Sequence, residues 1–288
     1  MNRRTRKPSN PFKLLFLVAV IGGLIYISQA VVPTMNVPFL PTPTPTRNPE
    51  SFLNEAAGYT AEGKLGQAIE AYQQAIYSDP RNPATYIELA RVQILAGLYE
   101  EALDNADNAL LLNPNNSMAL AIKAWALNFM EDYLGAEAAI GQAIELDNNN
   151  ALAYAINAEI LLDQGNYEDI ETAIQMSRRA QELAPNAMET HRIRGYVLFY
   201  TANYEDAMGE YQAAIAINDK LWDLHYSLGA IYKAIGEYDL AVQEMLAAVA
   251  LNPTNPDILT EISRTYAAVG QFGKAIQYAE QALSLDTS

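Results

Sequence analysis

Residues 222–255 read WDLHYSLGAIYKAIGEYDLAVQEMLAAVALNPTN. Two runs in this stretch carry apolar residues at the three- and four-residue spacing of helices with one buried face. Gly236-Glu237-Tyr238 separates them. Asn252-Pro253 closes the second run, because proline has no amide proton and cannot continue a helix. The stretch is a helix–turn–helix unit of 34 residues.

From Pro49 the chain repeats this unit over 49–82, 83–116, 117–150, 151–187, 188–221, 222–255 and 256–288. The register is carried by small residues, which let helices approach closely. One set is Ala56, Ala90, Ala124, Ala158, Gly195, Gly229 and Ser263; a second is Ala68, Ala102, Ala136, Ala173, Ala207, Ala241 and Ala275. A third is Ala75, Ala109, Ala143, Ala180, Ala214, Ala248 and Ala282. A bulky residue marks the turn between the helices: Leu65, Tyr99, Tyr133, Tyr167, Tyr204, Tyr238 and Phe272. Asn-Pro, or an Asp or Asn in its place, closes most units. The fourth has three extra residues, within Glu168–Thr172, expected to lengthen its turn or second helix by almost one turn.

The pattern resembles the tetratricopeptide repeat. Leu228, Gly229, Tyr232, Ala241, Ala248 and Pro253 match the family motif, while His225 and Met245 replace its aromatic residues. The resemblance covers 49–288 and implies an all-α, right-handed superhelical solenoid of seven repeats, with first helices lining the concave face. Stacking is what buries each unit's apolar faces, so neighbours stabilise one another. Seven repeats imply roughly one superhelical turn. The chain stops at Ser288, leaving no room for the polar-faced helix that caps many such arrays. Gln277, Glu280, Gln281 and Ser284 alternate with apolar Ile276, Leu283 and Leu285 on the last helix. That helix is expected either to cap the array itself or to dock on another copy or partner.

The N-terminal part differs in composition. Residues 1–48 carry six basic residues (Arg3, Arg4, Arg6, Lys7, Lys13, Arg47) and no acid; the rest carries 12 basic against 34 acidic residues. So acidic a body is a poor fit to nucleic acid, whose affinity comes from neutralising phosphates. Residues 1–13 form a basic tail. Residues 14–32, LLFLVAVIGGLIYISQAVV, are uncharged and just long enough to cross the ~30 Å hydrocarbon core as a helix. Basic residues before the segment place the N-terminus in the cytoplasm and the repeats on the extracytoplasmic side of a membrane. The competing reading is a signal peptide cleaved after Ala30, which also sends the body outside. Residues 33–48, PTMNVPFLPTPTPTRN, form a Pro/Thr-rich linker, a spacer reaching up to roughly 50 Å if extended, or an O-glycosylated tract.

Chemistry is sparse. The chain has no cysteine, which excludes disulfides, thiolate metal sites and a cysteine nucleophile. It has no Gly-rich phosphate loop after a strand. His191 and His225 occupy the same position of consecutive repeats, without a third ligand, and suit packing better than metal. The sequon Asn115-Asn116-Ser117 falls in an inter-repeat turn. Neither catalysis, a cofactor nor a metal is expected.

What remains is the concave face. Family geometry places there Arg91; Trp125, Asn128 and Phe129; Glu159 and Asp163; Arg192, Tyr196, Phe199 and Tyr200; Tyr226 and Lys233; Thr260 and Arg264. Aromatic and Arg side chains carry much of the energy of protein interfaces. For Trp125 and Tyr196, packing inside the solenoid is the competing role. The set implies an interaction scaffold for a peptide or protein segment with apolar anchors and a carboxylate. The alternatives are a homo-oligomer formed through the last helix and a cell-wall-glycan binder. The Lys and Asn clamp that chaperone-binding relatives use is absent, since no ninth position is Asn.

Overall fold

The computed structural model describes residues 11–26 and 47–286, in two separate units, Met1–Thr46 and Arg47–Ser288. In the first, α1 (Pro11–Tyr26) runs for 16 residues, about 24 Å, with its apolar side chains from Leu15 to Tyr26 exposed. Among the described residues no helix is long and apolar enough to cross a membrane. Residues 27–32 of the expected span, the tail to Asn10 and the linker up to Thr46 lie outside the described residues.

The second unit is a train of helix pairs. First helices are α2 (Pro49–Ala61), α4 (Pro83–Leu95), α6 (Ser117–Phe129), α8 (Ala151–Asp163), α10 (Met188–Tyr200), α12 (Trp222–Ala234) and α14 (Pro256–Ala268). Second helices are α3 (Leu65–Ser78), α5 (Tyr99–Leu112), α7 (Tyr133–Leu146), α9 (Ile170–Leu183), α11 (Tyr204–Ile217), α13 (Tyr238–Leu251) and α15 (Phe272–Asp286). No strand occurs among the described residues. Asparagines before the first helices act as N-caps. Asn48, Asn82, Asn116, Asn150 and Asn255 each accept a hydrogen bond from a first-turn amide.

The small residues lie where the helices meet: every alanine of the three sets is buried. Two glycines stand in because their neighbours are larger. A Cβ on Gly195 would sit 2.8 Å from the Tyr211 ring, and one on Gly229 would sit 3.0 Å from the end of Met245. The three extra residues of the fourth repeat form a 3₁₀ turn, Tyr167–Asp169, and leave α9 at 14 residues, the length of every other second helix but the 15-residue α15. The turn position therefore belongs to Ile170, which packs on the core, while Tyr167 is 87% exposed. This corrects the sequence register at that one place.

The coil also closes on itself sooner than one turn in seven repeats. Asn218 Nδ2 donates to the Thr60 carbonyl at 3.5 Å, and Gly63 abuts Lys220. Leu65 and Leu95 pack on the cluster that holds Leu221 and Leu224. The turn of repeat one thus meets the turn after repeat five. Alanines crowd the junction of α5 and α6 (Ala102, Ala106, Ala109, Ala119, Ala124), and such small contacts allow a close helix approach and a tight coil.

Candidate functional site

The expected concave residues divide into three groups. The first is consumed internally. Trp125 Nε1 donates to Glu159 Oε2 at 2.9 Å, and Arg192 Nη2 donates to the same oxygen at 2.8 Å. The Arg192 guanidinium also lies 5.2 Å from the centre of the Trp125 ring, within reach of a cation–π contact. Beside this trio, Asn128 Nδ2 and the Tyr196 hydroxyl each donate to Asp163 at 2.6 Å. Trp125, Asn128 and Glu159 are buried; Asp163, Arg192 and Tyr196 are half-buried. Helical position makes this possible. The residues project from the adjacent first helices α6, α8 and α10, one repeat apart. Trp125 lies in the core, and Tyr196 packs half-buried against it.

Charge follows geometry here. Burial works against the charge of Arg192, but Glu159 outweighs it and holds the guanidinium more firmly protonated than usual. Burial raises the Asp163 carboxyl, and Glu159 adds to the shift, against the hydrogen bonds from Tyr196 and Asn128. Burial and then Asp163 also raise the Tyr196 phenol.

The second group is half-buried or exposed and makes ring contacts and one ion pair. Phe129 stacks on Tyr99 at 4.7 Å, Tyr200 sets its edge against Tyr196 at 6.5 Å, and Phe199 packs on Tyr204 at 5.8 Å. Phe129 and Tyr200 are exposed, and Phe199 is half-buried. Arg91 pairs with Glu189 at 2.9 Å, joining repeat two to repeat five. This pair edges a recess of about 640 Å³, lined by α4 and by the turns that precede α6, α8 and α10.

The third group, on repeats six and seven, stays open. Tyr226, Thr260 and Arg264 line a smaller recess of about 290 Å³ together with Trp222, Asp223, Asp257 and Glu261. Lys233 and Arg264 both reach Glu261, Arg264 at 3.4 Å. The reading of the sequence missed these acids, although Asp223, Asp257 and Glu189 stand at the second position of their repeats, a concave position. None of the four cations expected to meet a partner's carboxylate stands unpaired: Arg91, Arg192, Lys233 and Arg264 each have a carboxylate of this chain within 3.5 Å.

The histidines serve as staples. His191 Nδ1 lies 2.6 Å from Glu210 and His225 Nδ1 lies 2.7 Å from Glu244, each joining a first helix to its own second helix.

Family models of the tetratricopeptide repeat match residues 59–126, 223–255 and 256–288. No curated protein matches the chain in sequence. Among solved structures, the crystal structure of the APC/C hetero-tetramer Cut9-Hcn1 is similar at a TM-score of 0.64 and 18% identity. The match covers 81% of this chain but 46% of that one, so the likeness is one of fold over about half its length. Two crystal structures of MamA align at a TM-score of 0.46, with 24% and 23% identity; they cover 56% and 59% of this chain and 92% of theirs. Residues 59–126 and 223–288 thus match tetratricopeptide repeats, and they lie within an all-helical solenoid.

Proposed function

We propose that the protein is a non-catalytic interaction scaffold that holds a segment of a partner protein on its concave side. Tetratricopeptide repeats generally mediate protein–protein interaction. The observation that supports the reading is the pair of recesses, about 640 and 290 Å³, bordered by the expected groove residues Arg91 and by Tyr226 and Arg264. Concave, partly apolar recesses with a few polar groups are where ligands bind. A photo-crosslinking residue placed at Arg91 or Tyr226 should capture the partner from native membranes, and one at exposed Tyr77, which lines neither recess, should not. Equal capture from Tyr77 sinks the concave assignment.

We further propose that residues 14–32 hold the solenoid at a membrane, on its extracytoplasmic side. The uncharged run and the basic residues before it support this. Resistance to alkaline extraction, with an intact N-terminus by mass spectrometry, is the expected result; a mature chain starting at Val31 is the result that removes the anchor. Self-association through α15 is a second reading, supported by Phe272 and Ile276, which are 65% and 59% exposed. Light scattering tests it, and a strict monomer at high concentration removes it.

A further inference from the structure

We infer that the recess of repeats six and seven accepts a cationic side chain, Lys or Arg, of the partner segment. The inference rests on the concave-side reading above and adds the chemistry of the partner. Trp222 and Tyr226, one turn apart on α12, set their rings edge to face at 6.2 Å and form one wall. Asp223, Asp257 and Glu261 supply carboxylates around the same space of about 290 Å³, room for a single long side chain. Aromatic faces and carboxylates together attract a cation: the ring quadrupole and the charges act in the same direction.

The cations nearby do not cancel this field. Lys233 and Arg264 share one carboxylate, Glu261, and Arg264 is 69% exposed. Asp257 stands exposed in the first turn of α14, and among the described residues it forms no ion pair with a basic side chain. The Tyr226 phenol feels the balance: burial, then Glu261 and Asp257, raise it against the smaller opposing effect of Arg264. Asp223 is raised by burial and only partly relieved by Arg192, so an arriving cation stabilises its ionised form. At long range the body's 34 acids against 12 basic residues after Asn48 steer a basic segment toward the groove.

The chain has two tryptophans. Trp125 is sealed in the interior and Trp222 lines the recess, so tryptophan emission reports occupancy directly. The probes are an alternating Lys–Ala peptide, its fully acetylated form and an alternating Glu–Ala peptide, titrated into the full chain at low salt. The expected result is a saturable emission shift with the Lys–Ala peptide, at least about tenfold weaker binding after acetylation, and none with Glu–Ala. W222F should abolish the shift. Asp257→Asn, at an exposed position where folding is easily checked by circular dichroism, should weaken the Lys–Ala peptide several-fold. If all three peptides bind alike, or if Asp257→Asn changes nothing, the cationic assignment is overturned while the concave reading stands. If none shifts the emission, the recess is not a binding site for this chemistry; the crosslinking experiment judges the concave reading separately.

Discussion

At the scale of single residues, Glu159 does the most. It accepts from the Trp125 indole and from Arg192, and both donors are largely shut off from water. Glu159→Ala leaves a guanidinium of 12% exposure without its partner, and breaking such a buried pair costs about 3–5 kcal/mol. The urea midpoint should fall accordingly, with Glu159→Gln falling less because it keeps an acceptor. This trio was only half legible in the sequence. The residue types stand out in the sequence, and an interior role for Trp125 is one of its two readings, but nothing local shows that Trp125, Glu159 and Arg192 pair with one another 33 and 34 positions apart. A second residue-scale effect is titratable. His225 has a carboxylate at Nδ1 and the Asp219 carbonyl 3.2 Å from Nε2, so the imidazolium satisfies both. The Glu244 hydrogen bond raises its pKa, against desolvation and with help from the Asp219 carbonyl. A raised folded value means the folded state binds the proton more tightly. The stabilisation is fully present below the ordinary value of about 6.5 and is lost as pH rises through the folded value. The stability difference between wild type and Glu244→Gln should therefore be largest near pH ~5.5 and shrink toward alkaline pH.

At the scale of elements, the turns between paired helices share one conformation, and sequence explains most of it. Gly63, Gly97, Gly165, Gly236 and Gly270 all have positive φ just past a first helix, the usual left-handed helix stop. Repeats three and five put Glu131 (φ 61°) and Ala202 (φ 58°) at that place, where a Cβ is strained. Ala202→Gly and Glu131→Gly should each raise stability by about 1 kcal/mol, read as a higher thermal midpoint. The helices and their buried small faces were legible because period and residue size are local properties. The turn of the fourth repeat misleads because Tyr167 matches the tyrosines that mark the turns of repeats two, three, five and six. Counting back from Ala173 instead, as Ala136 follows Tyr133, leads to Ile170, the first residue of α9.

At the scale of the whole repeat unit, the closure of the coil depends on the sum of small rotations between repeats, which no local pattern encodes. That is why the contact of repeat one with the turn after repeat five was invisible in the sequence, and why the concave face looked emptier there than it is. Closure makes a test possible within one residue type. Gly63 and Gly97 have similar φ, 69° and 78°, so alanine costs about the same backbone strain at each, about 1–2 kcal/mol. They differ in surroundings. A Cβ at Gly97 meets open space, whereas one at Gly63 comes within 2.5 Å of the Lys220 Cβ and 2.8 Å of its carbonyl oxygen. If the coil is closed in solution, Gly63→Ala must also push repeat one off Lys220. Hydrogen exchange should then speed up in α3 and in the turn Asn218–Leu221, far apart in sequence, and do so for Gly63→Ala alone. Arg91→Ala, which cuts the ion pair to Glu189, should deepen the effect in combination with Gly63→Ala. If Gly63→Ala and Gly97→Ala destabilise equally, with exchange changed only around each mutated turn, the coil is open in solution and the concave side is more accessible than the contacts between repeats one and five allow.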